Sequence, residues 1–197
     1  MPRTFQVTKT VYNYDELSPK AKEAALDYFR STVDSFSSDC VIEDATMVGA
    51  YLGISVNKVY YSGFSSQGDG ACFVGNYIYQ KGAPKLIKSN CPKDTTLQRI
   101  AKELQALQKR NGYALKATVK HRGHYYHEHC TDIDVTRTDD KDVSENDADE
   151  LQAILRVFMK WIYKSLEQDY YYQCSEEAIK ETIDANGYEF SESGKLA

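Results

Sequence analysis

Two pairs of alternating segments constrain this chain most, because each pair reads as a β-hairpin. Ile54 to Tyr61 (ISVNKVYY) and Ala71 to Gln80 (ACFVGNYIYQ) are rich in β-branched and aromatic residues and flank a polar loop. Tyr113 to His121 (YALKATVKH) alternates, Arg122-Gly123 supplies a turn, and His124 to Arg137 alternates again. Thr4 to Tyr12 (TFQVTKTVY) reads as one more strand. Two hairpins and a leading strand predict one mainly antiparallel sheet of four to six strands.

Helices account for the rest. Ser18-Pro19 offers an N-cap and a proline for the first turn of a helix over Pro19 to Phe36, with Ala21, Ala25, Leu26, Phe29 and Val33 near one face. Ser37-Ser38-Asp39 restarts a second helix, and Gly53 is placed to close it. Lys81 to Lys93 holds a glycine, two prolines and several lysines, and reads as a connection. Asp94 to Arg110 is amphipathic through Leu97, Ile100, Ala101, Leu104 and Leu107. Thr138 to Asp147 is an acidic, solvated link. It leads to a long helix over Ala148 to Tyr172 with the stripe Leu151, Ile154, Leu155, Phe158, Met159, Ile162, Leu166 and Tyr170. Ser175 caps a last helix that Gly187 ends, and Tyr188 to Phe190 forms an edge strand or a packed tail. The prediction is an α+β fold in one domain, 1–197, whose link 138–147 joins a C-terminal helical segment 148–186.

At 197 residues the chain is long enough to bury a core without staples. Five widely spaced cysteines without a CxxC pair, and an N-terminus with no apolar signal core, predict reduced thiols in a cytoplasm. No run approaches the ~18 apolar residues of a membrane span. Net charge is −5, spread unevenly. Residues 139–197 carry 15 acidic and 6 basic side chains, and the remainder 14 and 18. That balance argues against nucleic acid on the C-terminal part, permits a basic patch on the N-terminal part, and permits an acidic surface for a basic partner; with only a thin N-terminal Lys/Arg excess and no helix-turn-helix or ribbon motif, the expectation is no nucleic-acid partner.

The polar loop SGFSSQGDGACF, Ser62 to Phe73, holds Gly63, Gly68 and Gly70 around Asp69. Exposed N–H groups there could cradle an anion, and Asp69 could hold a metal or accept from a ligand hydroxyl. A rigid turn is the simpler reading, with Asp69 bonded to its own backbone and Gly70 left-handed. No Gly-Lys-Ser/Thr and no helix follow, so neither a P-loop nor a dinucleotide fingerprint is present. Candidate ligand or partner residues are Ser62, Phe64, Ser66, Gln67, Gly68, Asp69 and Gly70.

All four histidines fall in HRGHYYHEHC, residues 121–130. On a strand, His127 and His129 would share one face, while His124, Glu128 and Cys130 share the other. His124, His127, Glu128 and His129 are therefore candidates for a divalent metal or for acid–base work, although the spacing lacks the i, i+4 pattern of a helical zinc site. Trp161, Tyr170 and Tyr171 on the long helix offer a partner or homo-oligomer surface if they are not core.

Three segments together resemble a known group. They are YNYDELSPKAKEAALDYFR, SGFSSQGDGACF and WIYKSLEQDYYYQCSEEAIKETIDANGYEFSESGK. The resemblance is to uncharacterised proteins of tailed phages and prophages, some labelled antitoxin-like. Tyr126-His127-Glu128 matches the YHE element of that group, and Ser65 stands where it usually has Trp, which removes an aromatic that could stack on a ligand. The resemblance implies expression in a bacterial host cytoplasm and an accessory role. The expected function is a non-enzymatic protein that binds and inhibits or modulates a host protein, in counter-defence or host takeover. A metal- or nucleotide-binding protein or hydrolase, and an antitoxin-like regulator, are the alternatives.

Overall fold

A computed structural model describes residues 2–3, 8–32 and 37–197. The chain divides into two compact units, Ser38–Glu167 and the pair of segments Met1–Ser37 and Gln168–Ala197. The fold is α+β, as predicted.

The larger unit holds a four-stranded antiparallel sheet in simple chain order. Strand β1 is Ile54–Ser62, β2 Gly70–Ile78, β3 Leu115–His121 and β4 Thr131–Arg137. The register pairs Tyr60 with Cys72, Asn76 with Thr118, and Lys120 with Asp132. Asn57 is an extra residue in β1, a bulge between Val56 and Lys58. The bulge carries the Ser55 carbonyl over Gly75, where any Cβ would collide with it.

Alternation gives the sheet two faces. Phe73, Tyr77, Leu115, Ala117 and Val119 are buried on one of them. Phe158 of the long helix meets Phe73 edge to face at 5.9 Å. Lys58, Asn76, Ile78, Lys116, Lys120, Asp132 and Asp134 lie on the other face and are exposed. A half-solvated antiparallel sheet of this kind explains the clean alternation in the sequence.

Helix α2, Asp39–Leu52, precedes β1 and ends on the left-handed Gly53. Helix α4, Thr95–Arg110, starts where the Asp94 carboxylate accepts the Leu97 N–H at 2.8 Å. From α4, the buried Gln108 amide clamps the sheet. Its Nε2 donates to the Leu115 carbonyl at 2.7 Å and to the Tyr77 hydroxyl at 3.1 Å, and its Oε1 accepts the Leu115 N–H at 3.2 Å. Helix α5, Glu145–Gln173, buries Leu151, Ile154, Leu155, Phe158, Met159, Ile162 and Leu166, the apolar stripe of the sequence except Tyr170, which is only half-buried.

The smaller unit contains α1, Pro19–Thr32, and α6, Glu176–Asn186. Its core is Tyr14, Leu17, Ala21, Ala25, Leu26, Ile179, Ile183 and Phe190. The Ser175 hydroxyl accepts the Ala178 N–H, and the left-handed Gly187 closes α6.

Four expectations need correction or a boundary. Of the strand expected over Thr4 to Tyr12, residues 4–7 lie outside the described residues, and Tyr12 exchanges backbone hydrogen bonds with Phe190 at 2.8 and 2.9 Å. Phe190 in turn bridges Leu196, so the tail pairs locally. The end of the first helix, 33–36 with Val33, lies outside the described residues. Lys81 to Lys93 contains helix α3, Ala83–Asn90. Pro84 sits in its first turn, where a missing N–H breaks no intrahelical bond. Finally, β4 begins at Thr131, and residues 122–130 form a loop.

Candidate functional site

The loop after β1 is built around Asp69. Its Oδ2 accepts the backbone N–H of Ser65 at 3.0 Å and of Ser66 at 2.6 Å, while its own N–H donates to the Ser66 carbonyl at 3.1 Å. The carboxylate lies against Gly63, where a Cβ would come within 2.6 Å of Oδ2. The two N–H groups that could have faced an anion are therefore turned onto Asp69. The loop glycines with positive φ are Gly63, at 27°, and Gly68, at 96°, not the expected Gly70, which begins β2. Phe64 anchors the loop from the other side. Its ring stacks between Tyr61 at 6.2 Å and Tyr163 of α5 at 5.7 Å, and the Tyr163 hydroxyl donates to the Gly63 carbonyl at 3.3 Å.

The histidine segment folds back because its polar groups bond within it. Arg122 N–H donates to the Cys130 carbonyl at 2.8 Å, and Cys130 N–H to the His127 carbonyl at 2.9 Å. His121 Nε2 lies 3.0 Å from the Tyr125 carbonyl. His127 Nδ1 accepts the His129 N–H at 3.2 Å, which leaves the ring N–H on Nε2, 3.3 Å from the Cys130 sulfur. Such local bonds compete with a strand ladder, and here they replace it. The alternating-face grouping of the histidines does not survive this change.

Glu128 points to α5. Its Oε1 is 3.0 Å from Lys160 Nζ and 3.5 Å from His129 Nε2. Burial pushes its carboxyl up. The Lys160 hydrogen bond, its own backbone N–H and the charges of Lys160 and His129 outweigh that, and hold it below the usual glutamate value. Cys72, on β2, is fully buried, and burial followed by charge on Cys130 pushes its thiol up to about 12.

The two loops touch. A Cβ on Gly70 would fall 2.6 Å from the Cα of His127, and one on Gly68 would fall 3.8 Å from the Tyr125 ring. Only glycine permits so close an approach of one backbone to another. The result is a paired-loop surface that exposes Ser65, Ser66, Gln67, Gly68, His124, Tyr125 and His129. Tyr125 is 65% exposed, its ring stacked at 6.4 Å on His127. Ser62 ends β1 opposite Gly70, Asp69 braces the first loop from within, His127 packs against Gly70, and Glu128 ties the second loop to Lys160 of α5. Among the described residues, no three of His, Cys, Asp and Glu converge closely enough to hold a metal ion.

The expected helix surface is divided. The Trp161 indole N–H donates to the Asp94 carboxylate at 2.6 Å, and its ring lies parallel on Phe158 at 5.6 Å. Trp161 therefore braces the N-terminus of α4. Tyr170 and Tyr171 belong to the smaller unit, with rings 5.5 Å apart and Tyr171 55% exposed. No described helix is long and apolar enough to cross a membrane.

The sequence left open whether the glycine loop and the histidine segment meet in one site; the structure brings them together through Gly70 on His127. Residues 38–176 match the model of a family described as a domain of unknown function (DUF8835). No curated protein and no solved structure matches the chain.

Proposed function

We propose, for a chain that belongs to the DUF8835 family, that it is a binding protein whose working surface is the paired loops and whose partner is a bacterial host protein. The observation that carries this reading is the packing of Gly70 on His127, which locks two loops into one presented surface. A surface already ordered before binding loses little conformational entropy when it docks. Tyr125 supplies the large, amphipathic contact area that interfaces favour, with Gln67 and His124 as polar neighbours. The likeness of the loop and the C-terminal segment to phage proteins supports a host protein as the partner, and counter-defence or host takeover as the role.

An enzymatic reading has less to stand on, because the carboxylates face inward. Asp69 is engaged by two loop N–H groups and Glu128 by Lys160.

The test is capture from bacterial lysate with the full chain, compared with Tyr125→Ala combined with Gln67→Ala. We expect a stoichiometric partner retained through a salt wash, with at least tenfold less captured by the variant, because truncating a central aromatic anchor commonly removes 2 kcal/mol or more, about 30-fold. Equal capture by both proteins, or no stoichiometric partner at any salt, refutes the reading.

A further inference from the structure

We infer that the groove between α3 and α4 is a binding site for the phosphate backbone of a nucleic acid. The groove encloses about 320 Å³ and is lined by Pro84, Lys85, Lys88, Gln98 and Lys102. Lys85 and Lys88 are one turn apart on α3, and Gln98 and Lys102 one turn apart on α4, so each helix turns one pair of side chains to the same space.

The three ammonium groups are exposed, and among the described residues none of them forms an ion pair. Two nearby carboxylates are engaged elsewhere. Glu103 pairs with Arg99 at 3.5 Å, and Asp94 accepts from Leu97 and Trp161. Asp44 lies toward Cys91, at the C-terminal end of α3. Over residues 81–102 the chain carries six lysine and arginine side chains and a single carboxylate, Asp94, within a protein of net charge −5. Screening limits each exposed charge to about 8 Å at physiological salt, so the overall acidity does not cancel this patch.

Three unpaired like charges around one groove repel one another, and a polyanion relieves that repulsion. The lining favours phosphate over an acidic protein. It contains no aromatic, Met or Arg side chain, the residues enriched at protein interfaces, and is dominated by Lys, which is depleted there. Lysine serves phosphate oxygens as a point charge, and the Gln98 amide adds a neutral donor of the type that positions a backbone without reading bases. This site shares no residue with the paired loops.

The experiment is fluorescence anisotropy of the full chain with a labelled 20-bp DNA duplex, and with a labelled single strand of equal length, from 50 to 200 mM salt. With three phosphates neutralised, log K against log salt should fall with a slope of about −2.7 on the duplex and about −2.1 on the single strand. Duplex affinity should drop about 40-fold across that range. Each single Lys→Ala change at 85, 88 or 102 should lessen the duplex slope by about 0.9, and the triple variant K85E/K88E/K102E, built on exposed positions and checked for an unchanged melting temperature, should not bind. Absence of duplex binding at 50 mM salt overturns the inference, as does binding that survives the triple variant. Labelled polyglutamate bound as tightly as DNA also overturns it, because the groove would then be a dock for acidic protein.

Discussion

Removing the Asp69 carboxylate should unlock the loop that supports the proposed binding surface. Both the Ser65 and Ser66 N–H groups converge on one oxygen of Asp69, at 3.0 and 2.6 Å. A hydrogen bond to a charged acceptor contributes about 1.5–3 kcal/mol net, and two that share an oxygen are less than additive, so Asp69→Ala should destabilise the closed loop by about 2–4 kcal/mol. Asp69→Asn keeps an acceptor oxygen without the charge and should lose roughly half as much. The assay is amide hydrogen exchange at Ser65 and Ser66, where each 1.4 kcal/mol is a factor of ten in the opening equilibrium. Protection at these amides should fall roughly 30- to 700-fold in Asp69→Ala and by the square root of that factor in Asp69→Asn, while amides of β3 keep their rates. Unchanged protection at Ser65 and Ser66 refutes the brace, and an equal loss across β3 refutes its being local.

Gln108→Leu should lower the unfolding free energy by about 3–5 kcal/mol in chemical denaturation. It strips partners from the Tyr77 hydroxyl and from both backbone groups of Leu115, each buried group costing ~1–3 kcal/mol when left unpaired. A loss below about 1 kcal/mol would show that the amide is not a clamp. Alkaline pH should also destabilise the protein. Burial pushes the Cys72 thiol from 9.0 to about 12 and, against the hydrogen bond from Gln108, the Tyr77 hydroxyl from 10.0 to about 12. Both groups are kept neutral by the fold, so their contribution is complete below pH 9, and is lost as pH rises through 12. Denaturation midpoints should fall over that window, and Cys72→Ala should remove the part that begins near pH 9. A midpoint that stays level to pH 12 contradicts this burial.

Most elements were legible because their signals are local. Gly53 and Gly187 end helices as left-handed residues, and Asp94 and Ser175 cap them through their own side chains. The apolar stripe of α5 appears in the sequence at helical spacing and is buried as such. Helix α3 was hidden by Gly82 and Pro84, which read as breakers although proline is harmless in a first turn. The histidine segment misled for the opposite reason. Its alternation is genuine, but His121 and His127 bond to nearby backbone and hold it as a loop. At the loops, Asp69 as a brace was readable from its glycines. The contact of Gly70 with His127 was not, since it joins segments far apart in sequence and leaves no periodic trace. The α3–α4 groove was likewise invisible, because lysines in a connection carry no direction until two helices aim them.

The bulge at Asn57 has a bearing on self-association. A sheet with two open edges invites a second copy to continue it. Here one edge, β1, is interrupted by the bulge and carries Lys58, which sits over the Tyr60 ring at 4.5 Å. The other edge, β4, has its Ile133 carbonyl already occupied by the Gln152 amide of α5 at 3.2 Å. Both rims are thus blunted against strand-on-strand growth between copies of this chain.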